Sequence, residues 1–254
     1  MVDIHSHILP GLDDGAETLE QAVAMVRMAA EHGTTDIVAT PHANTQFTFD
    51  AEQIDEKVRE LEQASDGVLR IHCGCDFHLQ YDNIQDALEH PDKYTINHKG
   101  YLLVEFSDLL ISKATEELFF RLQEAGMVPI VTHPERNSLL QQRIDQIGRW
   151  VENGALVQVT AQSFLGRFGK RARAFSHELM KRGLVHFIAS DAHDTEHRPP
   201  VLKEAYGYIA SRYGEQEAVR LFVTNPQATL IGAAVQQTPV TGRGVARRWY
   251  EFWK

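Results

Sequence analysis

The chain has 254 residues, 43% hydrophobic and 24% charged, the balance of a soluble globular protein with a sizeable core, and its length fits one α/β barrel or two smaller domains. A formal net charge of −10 argues against a surface that grips nucleic acid. No secretory signal, no run of about 18 apolar residues and only two cysteines, Cys73 and Cys75, leave a reducing cytoplasm as the expected location.

The predicted elements alternate strand, turn and helix. A first strand over 2–7 carries His5 and His7, which share a face because side chains two apart on a strand point the same way. It runs into Leu9-Pro10-Gly11-Leu12-Asp13-Asp14-Gly15, a turn by composition. Leu19, Ala22, Val23, Val26, Ala29 and Ala30 then recur at helical spacing over 17–32, and Gly33 stops the helix. The second strand, 36–40, ends at Pro41-His42. A charged amphipathic helix follows over 50–64. Residues 68–79 contain the third strand, with Asp76 near its end. The fourth, 101–106, holds Glu105 inside an apolar run. A helix over 113–125 is closed by Gly126.

The fifth strand, 128–132, ends in His133-Pro134-Glu135-Arg136-Asn137. A helix over 139–152 leads to the sixth strand, 155–160, and a helix over 171–181 to the seventh, 185–190, which ends in Asp191-Ala192-His193. Two more helices are expected over 201–212 and 215–222, with Asn225-Pro226 capping a short last one. From Gln236 the pattern changes. Pro239, Gly242 and Gly244 break regular structure, and 243–254 mixes cations with aromatics. The expected division is a barrel over 1–235 and a tail over 236–254. The tail would pack on the barrel or a neighbouring subunit, or meet a membrane surface or partner.

Seven strand-helix units without an internal repeat fit a parallel barrel or a doubly wound sheet. Both collect functional groups at the C-terminal ends of strands, but only a barrel gathers seven ends around one centre. Nine candidate metal ligands sit at such ends: His5, His7, Asp14, His42, Asp76, Glu105, His133, Asp191 and His193. Imidazoles and carboxylates without thiolates suit Mn, Fe or Zn, and the number of donors calls for two or three ions. Taken singly, each has a plainer reading: Asp14 as a helix cap, Glu105 paired to a core arginine, a histidine hydrogen-bonded in the core. Their convergence outweighs those readings. His32, His90, His98, His177 and His197 are expected at the surface, and His72 and His186 in structural roles. His78 stays open, since it shares a strand face with Asp76.

Arg136 and Arg198 each follow a candidate ligand closely. They form either surface salt bridges or two guanidinium forks for a phosphoryl group, with Lys170 and Arg171 adding positive field. Metals with arginines point to phosphate ester hydrolysis, the ions and arginines neutralising charge that develops as water attacks phosphorus. A cysteine-phosphatase loop does not fit, because Leu79 stands where His72-Cys73 would require an arginine. No Gly-rich nucleotide loop or Gly-x-Ser-x-Gly elbow is present.

These motifs resemble the polymerase and histidinol phosphatase (PHP) superfamily of metal-dependent phosphoesterases. More narrowly, the sequence from Asp3 to Gly15, Ala39-Thr40-Pro41-His42, His133-Pro134-Glu135-Arg136-Asn137, Phe168-Gly169-Lys170 and Ser190-Asp191-Ala192-His193 are similar to the PHP-type protein tyrosine phosphatases of bacterial capsule and exopolysaccharide systems. The resemblance implies a distorted (β/α)7 TIM-like barrel and a multinuclear centre often filled with manganese. It implies phosphotyrosine proteins as substrates, with an autophosphorylating bacterial tyrosine kinase as partner. It marks Arg136 and Arg198 as phosphate-binding. Asp76 departs from it, standing where this branch usually has a glutamate. The alternatives are a histidinol phosphate type of small-molecule phosphatase, a PHP nuclease, and a metal-binding adaptor without turnover.

Overall fold

The computed structural model describes residues 1–237; the expected tail therefore lies outside the described residues from 238 onward. In chain order the elements are β1 (Val2–Ser6), α1 (Leu19–Glu31), β2 (Asp36–Ala39), β3 (His42–Ala43), α2 (Ala51–Ala64), β4 (Arg70–Cys73), β5 (Asp76–His78), α3 (Tyr81–Glu89), β6 (Tyr101–Glu105), α4 (Thr115–Glu124), β7 (Val128–Thr132), α5 (Ile144–Glu152), β8 (Leu156–Thr160), α6 (Ala161–Phe164), α7 (Gly169–Lys181), β9 (Phe187–Ala189), α8 (Lys203–Tyr213), α9 (Glu215–Val219) and α10 (Asn225–Ile231). Side-chain caps start the first two helices. Thr18 Oγ1 accepts from Gln21 N–H, and Asp50 from Glu52 and Gln53.

All strand pairs are parallel. One sheet has the order β1-β2-β4 and the other β3-β5-β6-β7-β8-β9. β2 falls within the expected second strand, and β3 continues it end to end just past its expected limit, the two parted at Thr40-Pro41, where proline has no N–H for the ladder. β4 and β5 likewise part at Gly74-Cys75. A Cβ on Gly74 would meet Val38 Cγ1 at 2.8 Å and Thr40 Cγ2 at 3.1 Å, so the two strands approach there only because it is glycine. The outer strands meet where Ser6 bridges Ala192 just past β9. His7 N–H donates to Ala192 O at 2.8 Å, and Asp191 N–H to His5 O at 2.9 Å. The pairing thus runs round seven strands and returns to β1.

Val2, Ile4, Val38, Leu103, Ile130, Leu156 and Phe187, drawn from six strands, form one buried cluster that fills the ring. Leu230 of α10 joins it at the end where β6 begins, and Tyr101 O–H donates to Ala233 O nearby. Two further clusters pack α1 and α2 on β2 and β4, and the remaining helices on β5–β9. Between Asp3 and Ser6 the register of β1 on β2 shifts, at the point where His5 departs toward the functional end.

Four expectations need correction. Helix α3 was not expected, because 81–89 offers only Ile84, Ala87 and Leu88 to an apolar face. The helix expected over 139–152 begins as a 3-10 turn, Leu140–Gln142, before α5. The seventh strand shortens to three residues. Asn225-Pro226 does not cap a separate helix: α9 passes through a π turn, Arg220–Thr224, directly into α10. Pro226, which has no N–H to donate, directly follows the π turn as the second residue of α10. The Asn225 side chain is buried and donates instead to His186 O and Gln236 O, both at 2.9 Å.

Candidate metal centre

The nine candidate ligands meet at one end of the ring, and His78 joins them. His5 lies in β1 and His7 just past it; His42 opens β3, Asp76 opens β5 and His78 ends it; Glu105 ends β6; His133 follows β7; Asp191 and His193 follow β9. Asp14 comes from the turn after β1 and is the most exposed of them. Four overlapping groups have ligand atoms within 4.8 Å of one another: His7, Asp14, His42 and His193; His5, His7 and Asp76; His5, His133 and Asp191; His42, His78 and Glu105. His5 Nε2 is 3.5 Å from Asp76 Oδ2 and 3.6 Å from Asp191 Oδ1. His42 Nε2 is 3.3 Å from Asp14 Oδ1, and its Nδ1 is 3.3 Å from Asp76 Oδ2. His133 Nε2 is 3.5 Å from Glu105 Oε1, and His78 Nε2 contacts Glu105 Oε2.

Three histidines present the same ring nitrogen to the centre because their other nitrogen is engaged. His7 Nδ1 donates to Asp13 Oδ2 at 2.7 Å, His5 Nδ1 to Gln158 Oε1 at 3.1 Å, and His193 Nδ1 to Asp191 O at 3.1 Å. Each bond leaves an Nε2 lone pair facing the acidic groups. Asp13 also accepts from Gly15 N–H and His42 N–H, tying the turn to β3. Gly15 lies so close beneath His7 that a Cβ there would meet His7 O at 2.0 Å. His133 and Asp191 have φ of 30° and 53°, conformations that cost side-chain-bearing residues energy and persist only where the surroundings fix them.

The electrostatics are those of a site made for cations. Burial alone would raise the Asp191 and Asp76 carboxyls, yet His5 and its neighbours hold both below the usual carboxylate range. Hydrogen bonds from His193 and His42 lower Asp14. Burial opposes charge on His5 and His7, but Asp76 and Asp191 around the first, and Asp13 and Asp191 around the second, raise them both. His133 is pushed down to about 4 by burial and by Arg136. Both oxygens of buried Asp76, with His42 Nδ1, make no hydrogen bond among the described residues. Buried polar atoms are seldom left so. A nitrogen-and-oxygen donor set with several orphaned, inward-facing atoms fits divalent ions of the Mn, Fe or Zn type.

Arg136 and Arg198 converge on the far side of the same carboxylate. Arg136 Nη1 contacts Asp191 Oδ2, and Arg198 Nη2 lies 2.6 Å from it. The Arg136 guanidinium stacks 4.4 Å from the Phe168 ring, which orients its plane. Arg198 O accepts from His193 N–H at 2.9 Å, and Asp194 Oδ1 accepts from the N–H groups of 196, 197 and 198, shaping the loop that carries the arginine. Lys170 stands exposed in the first turn of α7, and no ion pair joins it to this group among the described residues.

Sequence reasoning left His78 open and passed over Asp13 and Gln158. The signal for Gln158 resembled that for Glu105, a polar side chain within the apolar strand Leu156–Thr160. His72 and His186 are structural as expected: His72 Nε2 is 3.0 Å from Asp36, and His186 Nδ1 accepts from Val157 N–H. His98, expected at the surface, is exposed but meets Cys73 Sγ at 3.2 Å.

The family described as "Capsular polysaccharide synthesis, CpsB/CapC" matches residues 1–231. CapC of Staphylococcus aureus is 34% identical, with 98% of this chain and 99% of its own length covered. The tyrosine-protein phosphatase YwqE of Bacillus subtilis is 33% identical over 85% of this chain and 86% of its own. The tyrosine-protein phosphatase CpsB of Streptococcus pneumoniae is 30% identical over 91% and 98%. Among solved structures, a chain from the work on YwqE and CpsB, described there as unique metal-dependent tyrosine phosphatases, superposes with a TM-score of 0.88 at 31% identity, covering 95% of this chain and 98% of that one. Histidinol phosphate phosphatase of Lactococcus lactis shares the fold, with a TM-score of 0.56 at 13% identity, 87% of this chain and 94% of that one being covered. The seven-strand ring, the histidine and carboxylate cluster at its end and these similarities together make the chain a member of the CpsB/CapC family.

Proposed function

We propose that this chain is a metal-dependent protein tyrosine phosphatase acting on phosphotyrosine proteins of a capsule or exopolysaccharide system, with an autophosphorylating bacterial tyrosine kinase as its substrate. The observation that carries the reading is the meeting of two guanidinium groups on one carboxylate that also faces the histidine cluster. The relatives' names support the choice of phosphotyrosine.

His5, His7, Asp14, His42, Asp76, Glu105, His133, Asp191 and His193, with His78, would hold two or three divalent ions, manganese first among them. Bound there, the ions supply Lewis acidity, that is, positive charge beside the phosphoryl oxygens and a lowered pKa for water. Arg136 and Arg198 bind the non-bridging oxygens, exchanging Asp191 Oδ2 for phosphate and stabilising charge as it builds. Water oxygen bonds to phosphorus, the bond to the tyrosine oxygen breaks, and phosphate and tyrosine leave. A phenol with a pKa near ~10 departs without a strong general acid. Lys170 would meet the polypeptide beyond the phosphate. The catalytic unit is residues 1–235 in a cytoplasmic setting. No helix among the described residues is long and apolar enough to cross a membrane.

The test is phosphate release by chelator-stripped protein with and without Mn²⁺, comparing phosphotyrosine peptide, histidinol phosphate and single-stranded DNA. Manganese-dependent release from the peptide supports the reading. Preference for either other substrate moves the chain to another phosphoesterase class, and no turnover with any ion makes it a binding protein.

A further inference from the structure

Beside the metal centre lies a trough of about 940 Å³ between the β3–α2 loop, helix α3, the segment after β6 and helix α4. His78 and Glu105 belong both to its lining and to the ligand cluster, so the trough opens directly from the centre. Its volume is near the top of the ~300–1,000 Å³ of small-molecule sites, more than one phosphotyrosyl group needs.

Two kinds of wall line it. One is apolar, with Ile84, Leu118 and the exposed Leu109 and Leu110; Leu109 is 91% and Leu110 72% accessible. Tyr81, 76% accessible, stands at its edge. Large apolar side chains grouped in the open mark a surface that binds something. The other wall carries Gln46, Gln80 and Gln85, whose side-chain amides make no hydrogen bond among the described residues. An amide both donates and accepts, as a peptide backbone requires. Apart from Glu105 and His78 at the centre, the charges of the lining are Asp108 and Arg121, one of each sign. Nothing there selects a strongly charged ligand.

We infer that this trough seats the polypeptide segment flanking the phosphotyrosine, taking uncharged apolar side chains against Leu109 and Leu110 and its backbone against the glutamine amides. The inference rests on the phosphatase reading of the centre. It makes the segment after β6 a specificity element, which selects among phosphotyrosines by their neighbours and leaves the chemistry alone.

The experiment uses the manganese-loaded full chain and two variants, Leu109→Ser with Leu110→Ser, and Leu109→Lys with Leu110→Lys. Substrates are p-nitrophenyl phosphate and two phosphotyrosine peptides, one flanked by leucine and valine and one by aspartate. The serine pair should lower kcat/KM for the apolar peptide about tenfold, through KM, and leave the small ester unchanged. The lysine pair should shift preference toward the acidic peptide. If either pair leaves the peptide-to-ester ratio unchanged, the inference is overturned while the phosphatase reading stands. If the unsubstituted chain hydrolyses neither ester nor peptide, both fall together.

Discussion

Arg136 and Asp191 form an ion pair at the edge of the metal centre, with guanidinium Nη1 on carboxylate Oδ2 while Oδ1 of the same carboxylate faces His5 and His7. One side chain thus serves cations on one side and an arginine on the other. Removing the guanidinium takes away a planar, two-pronged phosphate ligand. Arg136→Ala should lower kcat/KM for a phosphotyrosine peptide by roughly 10²–10³, and Arg136→Lys should restore only part, because an ammonium is a point charge. Steady-state kinetics decide it; full activity in the lysine variant would show that charge alone suffices.

Asp13 touches no other member of the ligand cluster except through His7 and the His42 backbone. Its carboxylate fixes the His7 ring with Nε2 turned inward. Asp13→Ala should weaken metal binding roughly 10–100-fold, the usual cost of losing such a support. Competition against a chromogenic chelator measures it, and an unchanged affinity would mean that the ring is held by packing alone.

Gly15 has no room for a side chain, since its added Cβ would overlap the His7 backbone. Gly15→Ala should cost about 3 kcal/mol, the upper range for overpacking, and lower Tm by roughly 6–12 °C. Metal affinity should fall as well, because the displaced atoms belong to His7. Calorimetry of the metal-free protein separates the two effects.

His186 is buried just before β9, at the opposite end of that strand from Asp191, and burial followed by the nearby Arg220 pushes it down to about 3. Between that value and the ordinary 6.5, the unfolded chain binds a proton that the folded chain refuses. Its contribution to stability is therefore complete above about 6.5 and is lost as pH falls toward 3. His186→Asn keeps an acceptor for Val157 N–H and removes the titration. The urea midpoint of the metal-free variant should fall less steeply between pH 6.5 and 4.5 than that of the parent. Parallel slopes would place the imidazole in contact with water.

Much of the centre is legible because strand geometry is regular. His5 and His7 share a face by spacing alone, and His42, His133 and Asp191 each follow an apolar run that only a strand explains. Glu105 stands out as a charge in such a run. What the sequence hides depends on distance through space. The partnership of Gln158 with His5 joins β8 to β1, and nothing local encodes it. Helix α3 escapes because its packed face is short and its remaining residues are polar. Leu109 and Leu110 fall between the expected fourth strand and the helix after it, and only the fold shows that they stand in the open.

The meeting of β1 with the end of β9 has a consequence for how the molecule comes into being. Ser190 Oγ reaches His5 O across 185 residues of chain. Contacts so remote in sequence form late, because the entropy of closing so long a loop must be overcome first. A chain still emerging from the ribosome holds His5, His7 and His42 long before it has Asp191. Early-synthesised segments can build α1 and α2 on β2 and β4, but the complete set of ligands exists only after the last strand docks. Uptake of the full complement of ions is thus a signal that the end of β9 has docked on β1.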